Sequence, residues 1–102
     1  MATKKLTKKD NRKIVRTHSA GVFFAEVQSR KGKEAVLRNA RRLWYWSGAA
    51  SLSQLAVDGT KHPSDCKFPV AVDRIEVTEV IEILDTTEAA RTSLDAVPVW
   101  RA

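Results

Sequence analysis

Apolar residues in this chain come in short bursts that alternate with polar ones, and no stretch keeps a helical period for more than about two or three turns. That pattern restricts the fold more than any other feature. Side chains that alternate sides belong to strands, and short strands with close turns build a mainly antiparallel sheet. Arg74 to Leu84, RIEVTEVIEIL, is the clearest case. Ile75, Val77, Ile81 and Ile83 share one face; Glu76, Thr78 and Glu82 share the other. Glu79 falls on the apolar face and marks a bulge or an edge position. Read as one strand, the segment puts Ile81 and Ile83 in the core, where truncation to alanine costs on the order of 2–4 kcal/mol each.

The rest of the chain fits the same plan. Arg12 to His18 is a short strand or extended lead-in. Gly21 to Gln28, GVFFAEVQ, is aromatic and β-branched, which suits a half-buried strand. Gly32 takes positive φ without a Cβ clash, so Ser29 to Lys33 is a hairpin turn. Glu34 to Arg38 returns, Asn39-Ala40 interrupts as a bulge, and Arg41 to Trp46 resumes as strand, completing a meander. Ser51 then caps a two-turn helix closed by Gly59. Thr60 to Lys67 is loop and Lys67 to Val72 extended, with Pro69 suited to a sheet edge. Asp85 and Glu88 form an N-cap and N3 pair for a helix over Thr86 to Asp95. Val99-Trp100 adds a last short strand or a C-terminal anchor. The expected fold is α+β: a small curved, mainly antiparallel sheet or open barrel with two short helices. Residues 1–11 predict a basic flexible arm, and 12–102 a single domain.

Composition narrows the chemistry. One cysteine, Cys66, leaves no intrachain disulfide and reads as a reduced thiol. His18 and His62 are far apart, and Zn²⁺ ligand spacings, phosphate loops and nucleophile elbows are all missing. The expectation is therefore no enzyme, no catalytic residue, no metal and no cofactor. No apolar run approaches the ~18 residues of a membrane span, and Met1 to Lys9 lacks the apolar core of a signal peptide. The net charge of +6 is divided unevenly. Residues 1–42 hold 13 Lys and Arg against 3 acids, net +10; residues 43–102 hold 5 against 9, net −4. Anionic partners should favour the first half.

Two features could carry function. In Arg41-Arg42-Leu43-Trp44-Tyr45-Trp46-Ser47-Gly48, a strand would place Arg42, Trp44 and Trp46 on one face and Arg41, Leu43 and Tyr45 on the other. Indole rings stack on a base while guanidinium pairs with phosphate. Ser47 and Ser51 follow, with a helix start near Ser51 offering N–H groups to an anion. Arg41, Arg42, Trp44, Trp46, Ser47 and Ser51 are thus candidates for binding an anionic nucleotide-like ligand. The same tryptophans serve equally as core aromatics of a small barrel. The second feature is basic: Lys4, Lys5, Lys8, Lys9, Arg12, Lys13 and Arg16 in the arm and lead-in, with Lys31 and Lys33 in the hairpin. They neutralise phosphates of a nucleic acid, or solvate a tail.

The stretch VLRNARRLWYWSGAASLSQLAVDGT, followed by CKFPVAVDRIEV and VIEIL, resembles a family of small tailed-bacteriophage proteins catalogued as a domain of unknown function. The resemblance covers roughly residues 20–102, and LWYW with SGAASLSQLA is its most distinctive part. It implies expression in a host bacterial cytoplasm and a role in host takeover or defence evasion, and it brings no catalytic residues. Capture of a nucleotide immune signal is one expectation. Association with nucleic acid or with a host protein is the alternative. Open sheet edges further predict a homo-oligomer, most simply a dimer.

Overall fold

The computed structural model describes residues 10–102. Its elements in chain order are β1 (Lys13–Thr17), β2 (Val22–Lys31), β3 (Glu34–Arg42), α1 (Leu52–Asp58), a 3₁₀ turn (Pro63–Asp65), β4 (Val72–Val77), β5 (Val80–Asp85) and α2 (Glu88–Asp95). The five strands form one sheet in the order β4-β3-β2-β1-β5, with every neighbouring pair antiparallel. The α+β class and the curved, unclosed sheet agree with the sequence pattern.

Consecutive strands β4 and β5 lie at opposite edges of this sheet, yet only Thr78 and Glu79 join them. The sheet must therefore roll until its two edges meet at that corner. The tip of the β2–β3 hairpin curls round to the same place. The Val80 N–H donates to the Lys33 carbonyl at 2.9 Å, and the His18 N–H donates to the Glu79 carbonyl at 2.9 Å. Two irregularities in the β2–β3 ladder permit the bend, between Phe24 and Glu26 and between Val27 and Ser29. The first holds Asn39 at φ 49°, a left-handed conformation that asparagine tolerates better than most residues. This is the bulge expected at Asn39-Ala40.

Rolling buries both faces of the sheet. Val15, Phe23, Ala25, Ala35, Leu37, Ala40 and Val77 form the inner layer, with half-buried Val27, Ile75, Val80 and Ile83 against it. Ile14 and Phe24 point the other way, to Leu43, Leu55, Phe68 and Leu94 beneath the two helices. Alternation along Ile14-Val15 and Phe23-Phe24 thus feeds two layers from one strand pair.

One hydroxyl joins the two helices. Ser51 Oγ accepts the Gln54 N–H at 3.1 Å at the start of α1, as its sequence position predicts. At the start of α2, Thr87 rather than Asp85 is the cap. Its Oγ1 accepts the Ala90 N–H at 3.0 Å and donates to the Val57 carbonyl at 2.6 Å, satisfying one end of each helix. Asp85 remains in β5, paired with Lys13 at 2.7 Å. Gly59 ends α1 at φ 76°, and a Cβ there would lie 2.4 Å from that of Ser93. The contact is that close because Ser93 Oγ accepts the Thr60 N–H at 2.9 Å and donates to the Thr60 carbonyl at 3.0 Å.

Two further expectations need correction. RIEVTEVIEIL is two strands on opposite edges. One step on β1, Arg16 to Thr17, faces two steps on β5, Glu82 to Val80, which makes Ile81 the extra residue of a bulge. It is 48 % exposed, and Ile83 is half-buried. Arg41 to Trp46 is strand only as far as Arg42: past it the Leu43 N–H still donates to the Val22 carbonyl at 2.8 Å, and Tyr45 forms an isolated bridge to Lys67. Lys67 to Val72, expected to be extended, forms bridges at Lys67 and Phe68 and enters β4 at Val72.

An ionic clamp joins the start of β1 to α2. The Arg12 guanidinium lies 4.4 Å over the Phe24 ring and binds Asp10 and Asp95, each at 2.7 Å. Arg91 reaches Asp10 at 3.6 Å. Hydrogen bonding from Arg12 leads the causes that hold the Asp10 carboxyl down at about 2.

This packing predicts unequal costs for two apolar truncations. Phe24→Ala should cost about 3–5 kcal/mol in urea denaturation and Ile81→Ala less than about 1 kcal/mol; equal effects would refute the bulge. The Asp10 contribution to stability is complete above the unfolded-chain pKa of 3.8 and is lost as pH falls through about 2. Asp10→Asn should therefore lower the thermal midpoint above about pH 4 and flatten the acid limb, with the two profiles converging as pH falls through about 2.

Candidate functional site

Beyond the main sheet, three short segments run side by side. Tyr45 bridges Lys67 antiparallel, with the Lys67 N–H donating to the Tyr45 carbonyl at 2.8 Å. Phe68 bridges Val99 in parallel, and the Trp100 N–H donates to the Phe68 carbonyl at 2.9 Å. Phe68 is buried and anchors the group to the helix-side core. Trp44 and Trp100 project from its outer segments. Their rings stack with centroids 5.0 Å apart and planes at 18°. They remain 59 % and 44 % exposed, and Tyr45, Val99 and Val70 are exposed as well. The Lys67 ammonium lies 5.8 Å from one indole centroid and 5.6 Å from the other. An open pair of indoles under a single cation is a surface for a flat, electron-rich ring bearing negative charge.

The residues singled out in the sequence are distributed differently. Arg42 does not join Trp44 and Trp46 on one face. Its Nε donates to the Ala20 carbonyl at 3.3 Å, and its guanidinium lies 4.6 Å over Phe23. Trp46 is half-buried against the helix-side core, so one tryptophan of the pair is a packing residue and the other is exposed. Arg41 is spent on backbone. Its guanidinium donates to the carbonyls of Pro69, Phe68, Leu94 and Val97 at 3.2, 3.3, 3.5 and 2.9 Å. Burial lowers its pKa from the ordinary arginine value, opposed by the Asp95 charge. Ser51 Oγ is the α1 cap, and Gln54 Oε1 accepts the Ala50 N–H at 2.8 Å beside it. The Ser47 carbonyl accepts the Thr60 hydroxyl, and its N–H faces Cys66 Sγ at 3.5 Å.

Of the basic candidates, Lys4, Lys5, Lys8 and Lys9 lie outside the described residues. Lys13 is paired with Asp85, Arg16 with Glu82 at 3.2 Å, and Arg12 with two acids. Lys31 and Lys33 are exposed at the hairpin tip. Lys33 also lines a surface hollow of about 540 Å³ with His18, Glu79, Val80 and Ile81. Among the described residues no group of three His, Cys, Asp or Glu is placed to hold a metal ion, and no helix is long and apolar enough to cross a membrane.

Sequence reasoning missed Lys67 and Trp100 as members of a site. Trp44 offered the available signal: an indole one residue beyond buried Leu43 needs a neighbour. The distant Val99-Trp100 segment, held beside Phe68, supplies it.

A family model described as Domain of unknown function (DUF6948) matches residues 10–94, and the chain belongs to that family. The matched span includes Trp44 and Lys67 and stops short of Trp100. No curated protein and no solved structure matches the chain.

The two neighbouring arginines should separate on mutation. Arg41→Ala strands several carbonyls and should cost on the order of 2–4 kcal/mol in chemical denaturation. Arg42→Ala loses one hydrogen bond and a ring contact and should cost about 1 kcal/mol. Equal losses would show that the Arg41 contacts add nothing.

Proposed function

We propose that this member of the DUF6948 family is a non-enzymatic binding protein that captures an anionic, base-containing ligand on the Trp44–Trp100 platform. The observation that carries the reading is the exposed, stacked indole pair with Lys67 over both rings. A nucleobase continues the stack on an outer indole face while Lys67 meets its phosphate. Capture needs affinity and no turnover, which suits a platform of aromatic faces and one ammonium. The ligand contacts are therefore Trp44, Trp100 and Lys67. Arg41, Trp46, Ser47 and Ser51 support the scaffold around them.

We take the protein to be encoded by a tailed bacteriophage, to act in the host bacterial cytoplasm, and to blunt a nucleotide-based defence signal. Support for this comes from the resemblance of LWYW and SGAASLSQLA. A nucleic-acid role is the second reading, and Arg30, Lys31 and Lys33, exposed together on the hairpin tip, favour it. With two edge strands, β4 and β5, the working form is a homo-oligomer.

The test is a tryptophan-fluorescence titration with nucleoside mono- and triphosphates, cyclic dinucleotides and a short oligothymidylate. Trp44→Ala and Trp100→Ala should each weaken binding of the active compound about five- to a hundred-fold, from the ~1–3 kcal/mol of a lost stacking contact. Thermal midpoints should stay near the parent value, since both rings lie at the surface outside the core clusters. A pocketless capture of one phosphate has a shallow salt dependence; binding that falls steeply with salt and is lost in Lys31→Gln/Lys33→Gln supports the nucleic-acid reading instead. If both tryptophan variants bind as tightly as the parent, the platform is not the site.

A further inference from the structure

β4 is an open edge. It pairs with β3 on one side, and Val72, Asp73, Arg74 and Glu76 are exposed. Its six residues span roughly 20 Å, and the backbone groups that point away from β3 template a further strand. The side chains identify the occupant. Arg74 and Glu76 stand two residues apart on one face and form an ion pair at 2.8 Å. Ile75, between them, points to the inner layer and is only half-buried there.

We infer that two copies of this chain pair through β4, antiparallel, about a two-fold axis passing through Ile75. In that register Arg74 lies opposite the partner's Glu76, and Glu76 lies opposite the partner's Arg74. Each charge then has an opposite charge beside it on its own strand and another across the interface. Ile75 faces its own copy over the axis, where the closest cross-strand approach covers the apolar surface that the unclosed sheet leaves partly open. An isologous contact of this kind closes on itself and stops at two copies.

The other edge does not offer this match. β5 carries Glu82 and Asp85, taken by Arg16 and Lys13 of the neighbouring β1. Paired with itself, β5 brings together acids and no cation of its own. On β4 the remaining acid, Asp73, is already held by Arg38 at 3.2 Å and faces the partner's Val77 in the proposed register.

The assignment rests on the homo-oligomeric reading and is independent of what the tryptophan platform binds. Sedimentation equilibrium of the full chain, over roughly 1 to 300 μM, should give a species of twice the 11.4 kDa chain mass. Arg74→Glu alone, or Glu76→Arg alone, sets like charges across the axis twice and should weaken the dimer about tenfold or more. The Arg74→Glu/Glu76→Arg double variant restores opposite charges and should recover the parent constant to within about threefold. Ile75→Cys should form a disulfide-linked dimer on mild oxidation, and Asp73→Cys should not; Cys66 is buried and gives no background. A monomer at every concentration overturns the homo-oligomer itself. A dimer indifferent to both single reversals overturns this edge, and losses that the double variant fails to recover overturn this register.

Discussion

Everything in this fold answers to the two residues between β4 and β5. Thr78 and Glu79 carry the chain from one edge of a five-stranded sheet to the other. A flat sheet of that order would set its edges about 19 Å apart, four strand spacings, which two residues do not span. The sheet therefore rolls, and the roll dictates the remaining packing. It needs the ladder irregularities near Phe24 and Val27, it brings Lys33 to Val80, and it encloses an inner apolar layer that needs no helix to cover it. Both helices are left to cover the opposite face. The gap between the edges never becomes a ladder, and so backbone remains available along β4.

Among the described residues, several cations of the basic half hold this shape. Arg41 collects carbonyls from the 68–69 segment and from the end of α2, bringing together parts of the chain that share no main-chain ladder. Arg12 does the equivalent with Asp10 and Asp95. Guanidinium suits both tasks because its donors are fixed in a plane and reach several acceptors at once. A lysine at either place would satisfy fewer of them. Cation density in the sequence is thus not a measure of cation charge left free on the surface.

Much of the architecture was legible in the sequence. The meander, the Gly32 turn, the Asn39 bulge and the Ser51 cap are local features, dictated by residues adjacent in the chain. The errors share one cause. Period-two alternation in RIEVTEVIEIL looks the same whether the strand continues or breaks at a tight turn and restarts with a bulge, and only the pairing partners decide. The same holds at RRLWYW. Alternation put Trp44 and Trp46 on one face, but the strand stops at Arg42, and beyond it Tyr45 pairs with the distant Lys67. The platform could not be read locally at all. Trp44, Lys67 and Trp100 are separated by long intervals, and no spacing rule joins them.

Two indoles held 5.0 Å apart are also a pair of interacting chromophores. Their excited states mix, while the third tryptophan, Trp46, absorbs on its own in a drier environment. The molecule therefore carries a native optical label at one rim. Its coupled signal depends on residue 100 staying beside residue 44, and fades when the outer segment peels away even if every main-sheet hydrogen bond survives. Circular dichroism in the tryptophan bands then separates fraying of that rim from melting of the rolled sheet, with no dye attached.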